Sequence, residues 1–203
     1  MSPPYKQIRA FYDDETVTVY QAYNTAIASA AVAQQKLNAS PKFRTARMTW
    51  IKPSWAWMLY RAGYSYKDSG QERILALQMR HADFMTVLQK GVAVDGGSMP
   101  LPEVRIQWDP ERNVRLGKLD YRSIQIGIPA SLSEQWVEDM IVGIEDVTDR
   151  ARELKKVLDE RPDVSDDELV GIGLVPVEKP FELPEELQRG LRMIKVDSEG
   201  HSP

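Results

Sequence analysis

Hydrophobic and polar residues alternate along several short segments of the chain, a period that places successive side chains on opposite faces of a β-strand. The alternation is clearest at residues 16–23 and 121–128, where β-branched and aromatic residues lie between turn signals. Six strands are predicted in this way, at residues 16–23, 47–51, 74–79, 104–108, 121–128 and 140–147.

Stretches with apolar residues three and four positions apart lie between these strands and predict helices. Asn24 or Thr25 can cap the helix that follows the first strand, and Ser54 can cap a short helix that Gly63 ends. Because strands and helices do not alternate regularly, the sequence predicts an α+β fold with a split, mostly antiparallel sheet flanked by helices. Two further helices are predicted at residues 81–90 and 132–137.

The character of the chain changes after residue 148, where it becomes acidic and is interrupted by proline. Residues 149–160 have apolar residues at helical spacing, and Ser165 begins a capping box. We therefore predict an α+β core domain at residues 1–148, an acidic helical extension packed on the core at 149–195, and a flexible tail at 196–203.

The net charge of −4 conceals an asymmetry between the two parts of the chain. Residues 1–125 carry 17 Lys and Arg against 11 Asp and Glu, a net of +6, whereas residues 126–203 carry a net of −10. Cations of the basic part recur beside aromatic residues, as at Lys52, Trp55 and Trp57. Such a surface suits a phosphate-bearing ligand with a ring system, such as a nucleotide. The alternative is that the cations are solvated at strand edges while the aromatic rings form core.

Several classes of protein are excluded by what the chain lacks. With no Cys and only two His, it has no disulfide framework, zinc–thiolate site or cysteine nucleophile, and we expect no metal site. It has no phosphate-binding loop, dinucleotide-binding glycine fingerprint, nucleophile elbow or HExxH helix. No apolar run approaches the roughly 20 residues of a membrane span, and no signal sequence begins the chain, so we expect a cytoplasmic protein without membrane contact.

Several sequence blocks follow one another in a distinctive order. Among them are Arg47-Met-Thr-Trp-Ile-Lys-Pro-Ser54, Gln107-Trp-Asp-Pro110 and Tyr121-Arg-Ser-Ile-Gln-Ile-Gly127. Together these blocks, over about residues 8–150, resemble the domain of unknown function 4291 family. The resemblance implies kinship but no particular activity.

Three stretches carry a more distant resemblance. Tyr20-Gln-Ala-Tyr23 ends one predicted strand, Thr49-Trp50 ends a second before a helix, and Glu138-Asp-Met-Ile-Val142 heads a late one. In these places the chain resembles the ADP-ribosyltransferase superfamily of the poly(ADP-ribose) polymerase and diphtheria-toxin kind, in which three strands of a split sheet grip NAD. The resemblance implies an ADP-ribosyltransferase-like fold and an NAD-dependent enzyme that transfers ADP-ribose to an unknown protein or nucleic-acid acceptor.

The same resemblance implies roles for individual residues. Tyr60 would stack on nicotinamide, and Glu138, Asp139 or Glu145 would stabilise the oxocarbenium charge that develops on ribose, with the choice among the three left open. Arg9, Arg47 and Lys52 would pair with the pyrophosphate, and Gln21 and Tyr23 would contact the ribose or the amide. The implied cofactor-binding residues are therefore Arg9, Gln21, Tyr23, Arg47, Thr49, Lys52, Ser54 and Tyr60.

Two other functions stay open on the sequence. The basic character of residues 1–125 is also typical of a non-catalytic nucleotide- or RNA-binding module, whose affinity would fall steeply with salt. The acidic extension could instead dock a basic partner protein.

Overall fold

The computed structural model describes residues 3–94 and 104–194. Within them the chain forms nine strands and seven α-helices, which confirms the predicted α+β class. The strands are β1 (Arg9–Ala10), β2 (Thr16–Tyr23), β3 (Thr49–Ile51), β4 (Arg73–Arg80), β5 (Gly91–Ala93), β6 (Val104–Arg112), β7 (Lys118–Ile128), β8 (Ile141–Asp146) and β9 (Lys179–Pro180). The helices are α1 (Thr25–Gln34), α2 (Trp55–Ala62), α3 (His81–Gln89), α4 (Ala130–Gln135), α5 (Thr148–Glu160), α6 (Asp166–Gly171) and α7 (Glu185–Gly190).

The strands form two main sheets. One has the order β2-β4-β8 and the other the order β3-β7-β6-β5, while β1 and β9 form a separate pair. Neighbouring strands are antiparallel except for β5 and β6, which are parallel. The mostly antiparallel arrangement agrees with the prediction.

The two main sheets meet where β2 and the end of β3 lie side by side. Here the Tyr20 amide donates to the Lys52 carbonyl at 2.7 Å, and the Lys52 amide donates to the Tyr20 carbonyl at 3.3 Å. This isolated bridge holds the two edges together at one point while the strands diverge beyond it. The divergence creates the cleft described below.

Local sequence signals account for the helices beside this split. The Asn24 side chain accepts a hydrogen bond from the Ile27 amide and begins α1, as predicted. Ser54 caps α2 in the same way, and Gly63 ends that helix with a φ of 56°, a left-handed conformation that suits glycine.

Apolar residues form two cores on opposite sides of the three-stranded sheet. Val17 and Val19 of β2 pack into the larger core, whereas Tyr20 packs with Trp55 and Met58 of α2 into the smaller one. This division follows from the alternation of β2, whose successive side chains point to opposite faces. The helix α2 is thereby anchored against the split.

The late strand predicted at residues 140–147 is present as β8, but the segment before it was not predicted. Residues Trp136–Met140 form a π-helical turn that leads into β8. Buried Trp136, Val137 and Met140 turn the apolar side of this segment toward the core. Glu138 and Asp139 therefore lie on the exposed side of a helical turn rather than at the head of a strand.

The acidic extension is closely joined to the rest of the chain. Its β9 pairs with β1 near the N-terminus, and Phe181, Leu183 and Leu191 belong to the larger core. Residues of α5 and α6 pack into the smaller core. The tail predicted at residues 196–203 lies outside the described residues. In the described ranges, no helix combines the length and apolar character that crossing a membrane requires.

Candidate functional site

A cleft of about 630 Å³ opens where β2 and β3 diverge, a size within the roughly 300–1,000 Å³ of small-molecule sites. Its walls come from both sheets and from α2. Cationic, amide and indole side chains line it, together with the carboxyl group of Asp109.

One wall of the cleft is an internally hydrogen-bonded amide. The Gln21 side chain is buried, and its Nε2 donates to Thr49 Oγ1 at 2.7 Å and to the Trp50 carbonyl at 2.9 Å. Its Oε1 accepts a hydrogen bond from the Tyr23 hydroxyl at 2.5 Å. These bonds tie β2 to β3 across the split and fix the donor and acceptor groups along this wall.

Lys52 lies in the cleft beside the point where the sheets meet. Only 5% of the residue is exposed, and its Nζ sits 4.7 Å from the centre of the Trp57 ring. Burial, reinforced by the positive charge of Arg61, lowers the pKa of Lys52 to about 7, while Asp109 acts in the opposite direction.

The floor of the cleft is the polar face of β6 and β7. Gln125 Nε2 donates to Gln107 Oε1 at 2.9 Å and to Asp109 Oδ2 at 3.3 Å. Burial raises the pKa of Asp109, although the charge of Lys52 opposes that change. An amide and a carboxyl group are thus presented side by side to any ligand in the cleft.

The charge and ring content of the lining favour an anionic ligand with a ring. Arg47, Lys52 and Arg61 line the cleft against the carboxyl group of Asp109. Trp50 is partly exposed and supplies an aromatic face on which a base or similar ring could stack, whereas the Trp57 ring is already in contact with the Lys52 amine. Arg47 and Arg61 are exposed, which leaves their guanidinium groups free to approach a phosphate from solvent.

Five of the residues proposed from the sequence do come together here: Gln21, Tyr23, Arg47, Thr49 and Lys52 all line the cleft. They reach it from β2, from β3 and from the segments flanking β3. Their convergence follows from the bridge between Tyr20 and Lys52, which brings the ends of the two strands to one place.

Tyr60, Ser54 and Arg9 lie elsewhere. Tyr60 is 42% exposed, and the guanidinium of Arg112 covers its ring at 3.8 Å, so its face is occupied outside the cleft. Ser54 is buried as the cap of α2. Arg9 donates to the Glu178 carbonyl at 2.8 Å, at the junction of β1 and β9.

The three proposed catalytic carboxylates also lie away from the cleft. Glu145 is exposed on β8, the strand of its sheet that is separated from β2 by β4, and pairs with Arg150 at 3.2 Å. Glu138 pairs with Lys36, and Asp139 is exposed beside it. Sheet order explains the outcome, because the late strand that adjoins β3 is β7 rather than β8.

Sequence reasoning missed Asp109, Gln107 and Gln125. The strand predicted to stop at residue 108 continues to Arg112, because the Asp-Pro pair that suggests a turn sits instead at an irregularity in the pairing with β7. The spacing of Gln107 and Asp109 was a usable signal, since residues two apart on a strand share a face. No pattern in the neighbouring sequence indicated that Gln107 would lie opposite Gln125.

A pair of carboxyl groups at the start of α2, those of buried Glu111 and half-buried Glu178, was also missed. Glu111 Oε1 accepts from Ser54 Oγ at 2.8 Å, and Glu178 Oε1 accepts from the Trp55 amide at 2.6 Å. Burial, with the charge of Glu111, raises the pKa of Glu178 to about 8. Burial likewise raises the pKa of Glu111.

A second depression of about 450 Å³ adjoins the cleft, and Gln107 and Asp109 line both. It also contains Lys6, whose Nζ lies 5.9 Å from the centre of the Trp108 ring. Arg122 is held there by its bond from Nε to the Tyr5 hydroxyl at 2.8 Å. Aromatic rings and cations therefore continue beyond the cleft.

The part of the chain that the structure describes has no cluster of three or more His, Asp or Glu able to hold a metal ion. In comparisons with known proteins, residues 7–181 match the model of a family described as "Domain of unknown function (DUF4291)". No curated protein matches the chain.

Proposed function

The chain belongs to that family of unknown function, as its sequence blocks indicated, and because the family description assigns no activity we propose a function from the cleft itself. We propose that the cleft binds a nucleotide. The observation that carries the proposal is its lining, in which Arg47, Lys52 and Arg61 stand beside Trp50 and Trp57 and the carboxyl group of Asp109. Guanidinium groups suit phosphate, and indole faces suit a base.

In this arrangement each wall has a separate task. Exposed Arg47 and Arg61 pair with phosphate oxygens at the mouth, and Trp50 stacks on the ring. The amides of Gln107 and Gln125 on the floor offer donors and acceptors for ribose hydroxyls.

NAD is the nucleotide we propose, with ADP-ribosyl transfer as the reaction. Support comes from the placement of β2 and β3, whose sequences resemble the first two motifs of ADP-ribosyltransferases, on the two sides of a split sheet. Loss of nicotinamide leaves positive charge on the ribose, which a carboxylate stabilises. Asp109 takes this role in the proposal, since Glu138, Asp139 and Glu145 lie outside the cleft.

Calorimetric titration with NAD, ADP-ribose and AMP tests the binding step. We expect binding that weakens about three- to ten-fold in Arg47→Ala and in Arg61→Ala, because each removes one phosphate contact. Lys67→Ala removes an exposed cation outside the cleft lining and should leave affinity unchanged. Absence of binding by all three nucleotides at millimolar concentration would overturn the proposal.

Release of nicotinamide from labelled NAD tests the reaction separately. Asp109→Asn should suppress release at least about 100-fold with little loss of NAD affinity, because the interaction acts on the transition state. Glu145→Gln makes the same chemical change outside the cleft and serves as the matched control. Release that is unaffected by Asp109→Asn would contradict the assignment, and binding without release would leave a nucleotide-binding module.

The depression that adjoins the cleft favours one second candidate, binding of single-stranded RNA. Lys6 and Arg122 with Tyr5 and Trp108 extend the cationic and aromatic surface beyond the size of one nucleotide. Fluorescence anisotropy with a short single-stranded oligonucleotide should then show affinity that falls steeply with salt and weakens in Arg122→Ala. Binding that is insensitive to salt would count against this candidate.

A further inference from the structure

The burial of Lys52 sets it apart from an ordinary phosphate-binding lysine. The residue is 5% exposed, yet it forms part of the cleft lining. Its main chain is fixed by the two hydrogen bonds to Tyr20, and its Nζ is held over the Trp57 ring. The amine is therefore presented to the cleft from a defined and mostly dry position.

Within the described residues, the amine also lacks the hydrogen-bonded carboxylate that normally keeps a buried lysine charged, although the Trp57 ring beneath it favours the ammonium form. Across residues 3–94 and 104–194, Lys52 forms no salt bridge, and its Nζ makes no hydrogen bond to a protein group. Removal from water disfavours the ammonium form, and a neighbouring cation disfavours it further. Arg61 of α2 is that neighbour, consistent with the lowered pKa of about 7.

A desolvated lysine beside a second cation is a recognised arrangement for an amine nucleophile. We propose that Lys52 is a nucleophilic amine that forms an imine with a phosphate-bearing aldehyde or ketone held in the cleft. Arg47 and Arg61 at the mouth would hold the phosphate and so direct the carbonyl group toward the floor. The inference concerns the amine and does not depend on nucleotide binding.

The chemistry balances without an oxidant or reductant. The Lys52 nitrogen adds to the carbonyl carbon, the nitrogen loses its protons, and the carbonyl oxygen leaves as water when the C=N bond forms. Asp109 of β6 lines the same cleft, and in this proposal its carboxyl group accepts and returns a proton during these steps. Arg61 favours the neutral amine at the start.

Reductive methylation of the intact protein tests the amine itself. Formaldehyde and cyanoborohydride are applied between pH 6 and 9, and mass spectrometry follows each of the 11 lysines. At pH 7 we expect Lys52 to react on the order of ten-fold faster than exposed Lys67, with a rate that levels off above pH 7. Arg61→Gln should slow Lys52 at pH 7, because it removes the neighbouring cation. A Lys52 that reacts no faster than Lys67 would overturn the proposal.

Pyridoxal phosphate followed by borohydride tests the ligand class. One adduct at Lys52 is expected, with loss of that adduct in Lys52→Arg and slower labelling in the presence of inorganic phosphate. Adducts spread over exposed lysines would refute a carbonyl site. A competition with ADP-ribose separates the two proposals. If the adduct at Lys52 forms at the same rate with and without ADP-ribose, the nucleophilic amine is supported and nucleotide binding in the cleft is refuted.

Discussion

Ionisable side chains flank the turn between β3 and α2 on both sides, buried Lys52 on one and buried Glu111 with half-buried Glu178 on the other, and the two sides differ in the partners that their charged groups have. Lys52 opens onto the cleft with an indole ring as its contact. Two residues later, Ser54 donates to Glu111, and the next amide, that of Trp55, donates to Glu178. Among the residues that the structure describes, the amine on one side of the turn has no hydrogen-bond partner, whereas the carboxyl groups on the other side accept hydrogen bonds.

The difference suggests which group serves chemistry and which serves the fold. Glu178 comes from the acidic extension and joins the start of α2 to β9, so its hydrogen bond ties the end of the chain to the cleft wall. A satisfied polar group adds specificity to packing, whereas an unsatisfied one costs stability and is tolerated where function uses it. We therefore expect burial of Lys52, on the cleft side of the turn, to lower the stability of the fold.

The largest effect is expected from Lys52→Met, which replaces the buried amine by an apolar chain of similar length. The unfolded chain keeps its proton up to pH 10.5 but the folded chain releases it near pH 7, so Lys52 costs stability most below pH 7 and less as the pH rises toward 10.5. The variant should be stabilised by about 3 kcal/mol at pH 6 and by about 1 kcal/mol at pH 9.5 in urea unfolding. Lys67→Met is the control and should change little. A destabilised Lys52→Met protein at pH 6 would contradict the comparison.

Glu178→Gln should show the opposite pH dependence. The folded carboxyl group holds its proton to about pH 8 instead of the ordinary 4.5, so its contribution to stability is complete below pH 4.5 and is lost as the pH rises through 8. Because the amide cannot ionise, the variant should gain about 2 kcal/mol over the native chain at pH 9 and nothing near pH 4.5. Glu182→Gln, an exposed change four residues away, should be silent at both pH values. Equal effects of Glu178→Gln at pH 4.5 and pH 9 would argue against a protonated Glu178.

Ser54→Ala should have a smaller effect, a loss of about 1–2 kcal/mol at pH 7. The change removes the cap of α2 and one hydrogen bond to buried Glu111. Ser165→Ala removes the matching cap of α6, where no buried carboxyl group is involved, and should cost less. Thermal unfolding of the two variants in the same buffer compares their losses of stability. Equal losses would mean that the hydrogen bond from Ser54 to Glu111 adds nothing to the stability of the fold.

The smallest effects are expected from Glu145→Gln and Glu138→Gln. Both side chains make exposed ion pairs, which solvent screens, so neither change should alter the stability of the fold measurably. Affinity for NAD measured by calorimetry should match that of the native chain. A ten-fold loss of NAD affinity in either variant would indicate that NAD binds near β8 and not in the cleft.

Local structure was the part of the fold most open to prediction. Asn24, Ser54 and Gly63 act through neighbours three or four residues away. Ser54 and Gly63 were placed correctly as helix boundaries, and Asn24 was one of the two caps predicted for α1. The π-helical turn before β8 was not foreseen, because burial of Trp136 in the tertiary core decides it. The pattern of apolar residues alone does not distinguish such a turn from the start of a strand.

The sequence allowed prediction of candidate site residues within individual strands, but not of which strands come together to form the site. Gln21, Tyr23 and Lys52 were found through the resemblance to ADP-ribosyltransferases, which marks positions at the ends of single strands. That Gln21 and Tyr23 share a face of β2 became evident only from their hydrogen bond in the structure. The partner strand of β3 is set by long-range sheet order, which carries no local signature, and the acid was therefore sought near β8. Asp109 was hidden by an Asp-Pro pair that indicates a turn in isolation.

The five tryptophans allow a direct test of whether a ligand binds in the cleft between β2 and β3. Each indole N–H gives its own signal in a proton–nitrogen NMR spectrum, and ADP-ribose is titrated into the labelled chain. We expect the signals of Trp50 and Trp57, which line the cleft, to shift with ligand, while those of buried Trp55 and Trp136 stay in place. Indole signals of Trp50 and Trp57 that do not move at millimolar ADP-ribose would contradict binding in the cleft.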